Sequence, residues 1–328
     1  LTAYHRSYFS QDSELFSFAK QWLPIADIES SLAKPSAFIQ PLDDKPVTEL
    51  TLSALVAFFK QPVRYFFQQR LQVNFLTEEE PLEDEEPFAL SGLDNYVQRD
   101  ELLKNILKSD NNQRRFVEYL HRNGTLPIGV SGDQILSKNE HDVQELAQKL
   151  LPLMQGDLTK LSFDLNLGQT QLTGWIEPLY DTGVVKYSAG KSSGRSYISC
   201  WIEHLAACAN GCQHVTYFRA INEHFHYQVV EPEQAQNLLH SLLNIFYLGQ
   251  KQPLSWEPDL GWKLFNSDDI DKFNASALKD YNKYNDPYIH RVYPRWQDIS
   301  VGLDALNDEI FAPLSKYLIV DTQVDTDE

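Results

Sequence analysis

The sequence has 328 residues, of which 42% are hydrophobic and 23% charged, so it can bury one large core or two smaller ones. Its formal net charge of −18 excludes a broadly basic nucleic-acid surface, and the acidity either suits contacts with protein partners or serves solubility alone. No apolar run approaches the roughly 18–20 residues of a membrane span, and three cysteines are too few for a disulfide framework, so we expect a cytoplasmic protein.

The N-terminal segment, residues 1–42, mixes short helical patterns with loop signals. The chain begins at Leu1 and its single methionine is Met154, so we expect a fragment of a longer protein or a processed chain. Residues 1–42 are predicted to pack on, or lead from, a missing N-terminal part. Residues 43–328 are predicted to form the main domain.

Helical patterns dominate the first half of the chain. A helix is predicted to open at Thr51, and Pro62 is predicted to kink or restart it, with the second helix ending near Leu71. Seven carboxylates within residues 77–86 predict a solvated acidic loop. Further helices are predicted over residues 92–121 and 139–153, separated by a break at Gly129 to Gly132.

The middle of the chain switches to a period of two, the alternation of a half-buried strand. Strands are predicted over residues 161–167, 172–179 and 184–189, then a helix over 197–209, strands over 215–220 and 225–230, and a helix from Pro232 to Leu248 that stops at Gly249. Residues 250–328 predict only short helices, and the acidic end from Asp321 is expected to fray. This order predicts an α/β fold in which helices precede and follow a mixed sheet.

The predicted order of elements resembles the core of the PD-(D/E)XK nuclease superfamily, a mixed β-sheet flanked by helices. Leu52-Ser53-Ala54-Leu55, followed by Phe58-Phe59 and Gln61-Pro62, resembles the opening helix of RecB and AddB nuclease domains. Leu172-Thr173-Gly174-Trp175-Ile176-Glu177 resembles the family's strand Leu-x-Gly-x-Ile-Asp, whose last residue holds a divalent metal.

Other segments are similar to RecC-type subunits of the bacterial exodeoxyribonuclease V (RecBCD) in particular. They are Tyr8-Phe9-Ser10, Leu15-Phe16-Ser17, Trp201-Ile202-Glu203-His204-Leu205, Leu238-Leu239, Tyr247-Leu248-Gly249-Gln250 and Pro253-Leu254. The resemblance covers nearly the whole chain, and its specificity comes from the ordered combination of these short motifs.

The resemblance also implies that the nuclease site is degenerate. An active site of this class holds Mg²⁺ with acidic oxygens from two adjacent strands and needs a nearby lysine. Glu177 keeps a carboxylate on the first strand, but on the second Lys186 replaces the acid and Ser188 stands where lysine is needed. No Asp or Glu occurs from Val184 to Ile202, so no shift of register restores the pair. We predict no catalytic residue, no metal, no cofactor, and a half-buried Glu177 paired with Lys186.

Two further groups of residues contain potential metal ligands, and for both a structural role is the stronger prediction. Cys200, His204, Cys208 and Cys212 recur every four residues, but positions twelve apart on a helix lie about 18 Å apart and cannot share one zinc ion. We predict a packed helix with small apolar thiols. His224 and His226 could bind a metal together with Glu223, although a structural role is the prediction for strand histidines without a fixed third ligand.

The basic loop from Gly190 to Arg195 lies beside the predicted degenerate site. It is not a Walker A motif, because its glycines do not precede the lysine in that spacing. Lys191 and Arg195 are candidate contacts for a DNA phosphate, and the alternative is a flexible surface loop.

The function implied by the resemblance is that of a non-catalytic scaffold. RecC-type subunits join a RecB-type helicase–nuclease and a RecD-type helicase, split the DNA duplex and recognise the regulatory Chi sequence. The C-terminal domain is expected to support strand splitting and to contact RecD, with weak or no DNA binding by the fragment itself. The alternatives are an active Mg²⁺-dependent DNA exonuclease of the same fold and an unrelated acidic protein-interaction domain.

Overall fold

The computed structural model describes residues 41–75, 90–108, 113–122, 126–127, 129–283 and 286–321. The N-terminal segment predicted over residues 1–42, apart from its last two residues, and the acidic loop predicted over 77–86 lie outside the described residues. The helices are α1 Leu52–Lys60, α2 Pro62–Tyr65 with a π-helical continuation Phe66–Arg70, α3 Gly92–Leu107, α4 Gln113–Arg122, α5 Val130–Leu150, α6 Gly194–Ala209, α7 Pro232–Lys251, α8 Pro258–Phe265, α9 Ile270–Lys283, α10 Pro287–Val292 and α11 Trp296–Ser315. The strands are β1 Glu49–Thr51, β2 Thr159–Leu167, β3 Thr170–Tyr180, β4 Gly183–Ser188, β5 Thr216–Ala220, β6 His224–Tyr227 and β7 Leu318–Val320.

The strands form one mixed sheet in the order β1-β3-β4-β5-β6-β7, with β2 paired to β3. The strands β2, β3 and β4 form an antiparallel meander, and β5 then lies parallel to β4 after the crossover helix α6. The strands β6 and β7 complete the sheet in antiparallel fashion, while β1 runs parallel to the start of β3. The predicted mixed sheet flanked by helices is confirmed.

Helices cover both faces of the sheet. The larger core contains α1, α6, α7, α8 and α11, and α6 runs through its centre with Trp201 and most of its other side chains buried. The smaller core contains α3, α4 and α5. Neighbouring residues of β4 belong to different cores, because side chains alternate across a strand. Val184 packs in the larger core and Val185 in the smaller one.

Local sequence signals account for several helix starts. The Thr51 hydroxyl accepts a hydrogen bond from the amide of Ala54, which caps α1. Pro62 occupies the first turn of α2, where its missing amide hydrogen costs nothing, as predicted. Helix α6 begins at Gly194, three residues earlier than predicted, because Ser193 and Ser196 form a capping box.

Two glycines predicted to interrupt or end helices lie inside them. Gly132 belongs to the first turn of α5, and a Cβ there would overlap the carbonyl of Pro127. Gly249 belongs to the last turn of α7, and a Cβ there would overlap the ring of Phe58 in α1. The missing side chain serves close packing at both positions, so neither glycine ends its helix, whereas Gly129, within the predicted break, directly precedes α5.

The C-terminal third is more regular than predicted, since α11 runs for 20 residues. The three-residue strands β1 and β7 were not predicted, and β6 ends at Tyr227, earlier than expected. Asp321 was expected to fray but forms an ion pair with Arg219 and a hydrogen bond with His226, while residues 322–328 lie outside the described residues. Among the described helices, none combines the length and the apolarity that crossing a membrane would require.

Candidate functional site

An open cleft lies where β3 and β4 separate. The ladder between these strands joins only Leu179 to Val184 and Tyr180 to Gly183, and it ends before Glu177. The cleft has a volume of about 740 Å³ and is bordered by α1, by the β2–β3 pair, by Lys186 and by Glu203 of α6. Glu177 and Lys186 both line it, so the fold brings these two predicted site positions together.

The charges in the cleft are arranged differently from the prediction. The Lys186 Nζ atom lies 2.5 Å from Oε2 of Glu203, and each side chain is about one quarter exposed. Glu177 is exposed rather than half-buried, so the predicted Glu177–Lys186 pair is wrong. The reason is tertiary, because α6 packs across β4 and places a closer carboxylate beside the lysine.

Ser188 lies at the end of β4 and takes part in the following turn. Its hydroxyl accepts a hydrogen bond of 3.1 Å from the amide of Gly190. The next loop is fastened to the β5–β6 turn: the Ser192 amide donates to Asn222 at 2.7 Å, and the Ser192 hydroxyl donates to Glu223 at 2.6 Å. Ser188 therefore has a local structural partner, and the loop has fixed contacts.

Arg195 forms ion pairs with Asp259 in the first turn of α8 and with Glu257 at the N-cap of that helix. Its Nη2 lies 2.7 Å from Oε1 of Glu257, and its Nε lies 3.4 Å from Oδ2 of Asp259. Burial raises the pKa of the Glu257 carboxyl to about 7. Lys191 is exposed at the tip of the loop. A phosphate would have to compete with Glu257 and Asp259 for Arg195, and phosphate contact by Lys191 and Arg195 stays a prediction.

Helix α6 is packed, as predicted, and buries Cys200 and Cys208, while Cys212 is buried after the end of the helix. The Nδ1 of His204 lies 2.9 Å from the Thr216 hydroxyl and its Nε2 lies 2.8 Å from the Gln228 carbonyl oxygen, so both ring nitrogens have partners. Burial lowers the pKa of His204 to about 4 and raises the pKa of the Cys208 thiol to about 11. These groups are therefore uncharged near neutral pH.

The strand histidines contact a residue that the sequence did not single out. The Nδ1 of His226 lies 3.0 Å from Asp321, whose second carboxylate oxygen lies 2.9 Å from Nη2 of Arg219. His224 is buried, and burial lowers its pKa. Within the described ranges, no three His, Cys, Asp or Glu side chains are grouped so that they could hold a metal ion.

The core of the chain matches a known family. The family model described as the RecC C-terminal domain matches residues 47–269.

The chain belongs to the RecC C-terminal domain family.

The matched range runs from β1 to α8 and includes every residue of the cleft. The RecBCD enzyme subunit RecC of Escherichia coli strain K12 is 32% identical over 253 residues, which cover 76% of this chain and 22% of that protein. The RecC subunit of Haemophilus influenzae is 28% identical over 222 residues, covering 63% of this chain and 19% of the relative. The RecC subunit of Mycolicibacterium smegmatis is 27% identical over 199 residues, which cover 60% of this chain and 18% of that protein. The chain thus spans about a fifth of the length of these RecC relatives.

An exposed tryptophan in the RecC-family strand β3 was not singled out as a site residue. Trp175 lines the cleft and is 53% exposed, and the Nζ of Lys160 lies 4.6 Å from its ring centroid. A signal was present in the sequence. Because Leu172 and Ile176 face the core, strand alternation turns Trp175 outward, where so large an apolar ring is unusual.

Proposed function

We propose that this chain is the non-catalytic C-terminal scaffold domain of a RecC-type subunit, acting in double-strand break repair and DNA end processing within a RecBCD helicase–nuclease. In this role it contacts RecB-type and RecD-type subunits and supports strand splitting. Membership of the RecC family supports the proposal, as do relatives that are named subunits of the RecBCD enzyme. The observation that carries the non-catalytic part is the Lys186–Glu203 ion pair in the cleft.

The topology supports a core of the PD-(D/E)XK type. Helix α1 precedes the antiparallel meander β2–β3–β4, and α6 then crosses to β5, which lies parallel to β4. This succession of helix, three strands, helix and strand is the one that the resemblance implies. The cleft lies on the separating strands β3 and β4, where a nuclease of that type carries its acids.

The chemistry of the cleft opposes metal-dependent hydrolysis. Mg²⁺ needs near-octahedral oxygen coordination, to which an active nuclease contributes carboxylates from both strands. Here β4 contributes the ammonium group of Lys186, which has no lone pair with which to ligate a metal ion. The nearest carboxylate to that ammonium, Glu203, is held in the ion pair, which leaves Glu177 to supply oxygen from β3. We therefore propose that Glu177, Lys186 and Ser188 are degenerate positions of a former nuclease site.

A nuclease assay on the full-length RecC-type subunit that carries this chain tests the proposal. The purified subunit should not cleave single- or double-stranded DNA with Mg²⁺ or Mn²⁺, and calorimetry should detect no tight Mg²⁺ site. At partner concentrations that keep the enzyme fully assembled, Glu177→Ala should leave the rate of DNA degradation within about twofold of wild type. Loss of a metal ligand from a working site would instead raise the barrier by about 4 kcal/mol, on the order of a thousandfold in rate.

Two outcomes would contradict the proposal. Metal-dependent cleavage by the subunit alone that Glu177→Ala abolishes would favour an active nuclease. Failure of the wild-type subunit to co-purify with RecB-type and RecD-type subunits would favour an unrelated acidic interaction domain. Glu231→Ala, which alters an exposed carboxylate at the N-cap of α7, is the matched control for a generic loss of charge.

A further inference from the structure

The part of one sheet face formed by β1, β3 and β2 lacks a covering helix in the described parts of the chain. On β1, β3 and β2 the outward side chains are Glu49, Thr51, Gln171, Thr173, Trp175, Ser162 and Asp164, and most of them are exposed. The helices α3, α4 and α5 pack instead on β4 and β5, through residues such as Val185. The face is polar except for one large aromatic ring, which is Trp175.

Trp175 already contacts a positive charge of its own chain. The ammonium group of Lys160 lies 4.6 Å from the ring centroid, within the range of a cation–π interaction. Lys160 is exposed and belongs to the edge strand β2, at the point where its register with β3 shifts. A flexible, strongly hydrated lysine at such a position is readily displaced by a better cation.

Carboxylates border the same ring. Asp164 and Glu177 line the cleft together with Trp175. Strand register places Asp164 diagonally across from Trp175, since Ser162 is its direct partner, and Glu177 lies two residues along the same strand face. Asp164 accepts hydrogen bonds of 2.8 and 2.9 Å from the Gln171 amide, which holds it in place. An aromatic face flanked by two carboxylates has the chemistry that recognises a guanidinium group.

The positive charges in the cleft do not remove its preference for a guanidinium group. Lys186 is neutralised by Glu203, and Lys60 is the remaining lysine that lines the cleft. A nucleic-acid strand would bring phosphates to Asp164 and Glu177 on a chain whose net charge is −18, which is unfavourable. A planar guanidinium can stack on the indole and donate hydrogen bonds to a carboxylate at once, which the lysine ammonium cannot.

We infer that the cleft at the former nuclease site is a docking site for a basic segment of a partner subunit, in which an arginine side chain stacks on Trp175 in place of Lys160 and pairs with Asp164 and Glu177. The inference rests on the proposed function, because it takes the partner to be another subunit of the same enzyme. It assigns the cleft a use that needs no metal and tolerates Lys186.

The test measures the affinity of the full-length RecC-type subunit for purified RecB-type and RecD-type subunits, each tested separately. Trp175→Ala should weaken binding to one of them about tenfold, the equivalent of roughly 1.4 kcal/mol. Trp175→Phe, which keeps an aromatic face, should stay within about threefold of wild type. The double variant Asp164→Asn/Glu177→Gln should weaken the same interaction and flatten its dependence on salt.

Matched controls separate this inference from the proposed function. Val301 is 87% exposed on α11, away from the cleft, and Val301→Ala should leave both affinities unchanged. Circular dichroism should show Trp175→Ala to be folded, because its side chain is mostly exposed.

If wild type binds and Trp175→Ala binds both subunits within twofold of wild type, the inference is wrong and the scaffold proposal stands. If wild type binds neither subunit, the proposed function fails. If Trp175→Ala weakens only the binding of a single-stranded oligonucleotide, the cleft binds DNA and the inference is also wrong.

Discussion

At the scale of residues, a lysine changes what the cleft can bind. Lys186 stands on β4 at the position that we propose held a metal-binding acid, and both side chains of its ion pair with Glu203 are about one quarter exposed. Such a pair contributes on the order of 1 kcal/mol or less to stability. Its larger effect is electrostatic, because it places a neutralised pair, rather than two free carboxylates, next to Glu177.

A second residue, His204, should make stability depend on pH. Its pKa falls from 6.5 to about 4 on folding because the ring is buried in α6. The unfolded chain therefore binds a proton between these values while the folded chain does not, so stability falls as pH decreases from 6.5 towards 4. This group alone should remove on the order of 3 kcal/mol across that range.

Urea denaturation of the chain at pH 7, 5.5 and 4.5 measures this effect. His204→Gln, which can still donate to the Gln228 carbonyl, should have a shallower loss of stability than wild type over the same range. Comparison of the two slopes cancels the contributions of other titrating groups. Equal slopes for His204→Gln and wild type would contradict a neutral, buried His204.

At the scale of elements, glycine permits the close packing of α1 and α7. Phe58 of α1 is fully buried and its ring lies against Gly249, where a Cβ would overlap it. The helix continues through Gly249 to Lys251 because tertiary packing outweighs a glycine's low helix propensity, which amounts to about 1 kcal/mol relative to alanine.

Gly249→Ala should therefore destabilise the chain by about 1–3 kcal/mol despite the better helix propensity of alanine, because Phe58 must move in a packed core. Gly92 provides the matched control. It begins α3 and is exposed, and a Cβ added there would meet no atom within 4 Å, so Gly92→Ala should be neutral or stabilise by up to about 1 kcal/mol. Chemical denaturation of both variants measures the difference, and a neutral Gly249→Ala would mean that the α1–α7 contact is loose.

At the scale of the whole molecule, charge limits the available partners. A net charge of −18 opposes non-specific binding to DNA, while relatives of the chain are named subunits of the RecBCD enzyme, for which we propose a role of this domain in DNA end processing. The two facts agree if the domain works through neighbouring subunits. Two basic side chains in and beside the cleft agree with a role through neighbouring subunits, since Lys186 and Arg195 are both held by carboxylates.

The isolated chain should accordingly bind duplex DNA with a dissociation constant weaker than about 10⁻⁶ M at physiological salt. Fluorescence anisotropy with a labelled duplex at several salt concentrations measures this. Lys191→Ala is the informative variant, because Lys191 is exposed in the loop beside the cleft. Micromolar or tighter binding with a steep salt dependence, lost in Lys191→Ala, would contradict the prediction and assign phosphate contact to that loop.

The sequence by itself determined the succession of the longer strands and helices in the middle of the chain, and the family. The alternation of residues 161–167 and the apolar spacing of 197–209 depend on neighbours along the chain, so they predicted β2 and α6 to within a few residues. The absence of Asp and Glu from Val184 to Ile202 was equally evident from the sequence. Only the tertiary structure decided that Glu203, rather than Glu177, pairs with Lys186, that three-residue strands form at Glu49 and Leu318, and that Gly249 continues a helix. These outcomes depend on residues distant in sequence that packing brings together, and no local periodicity records such contacts.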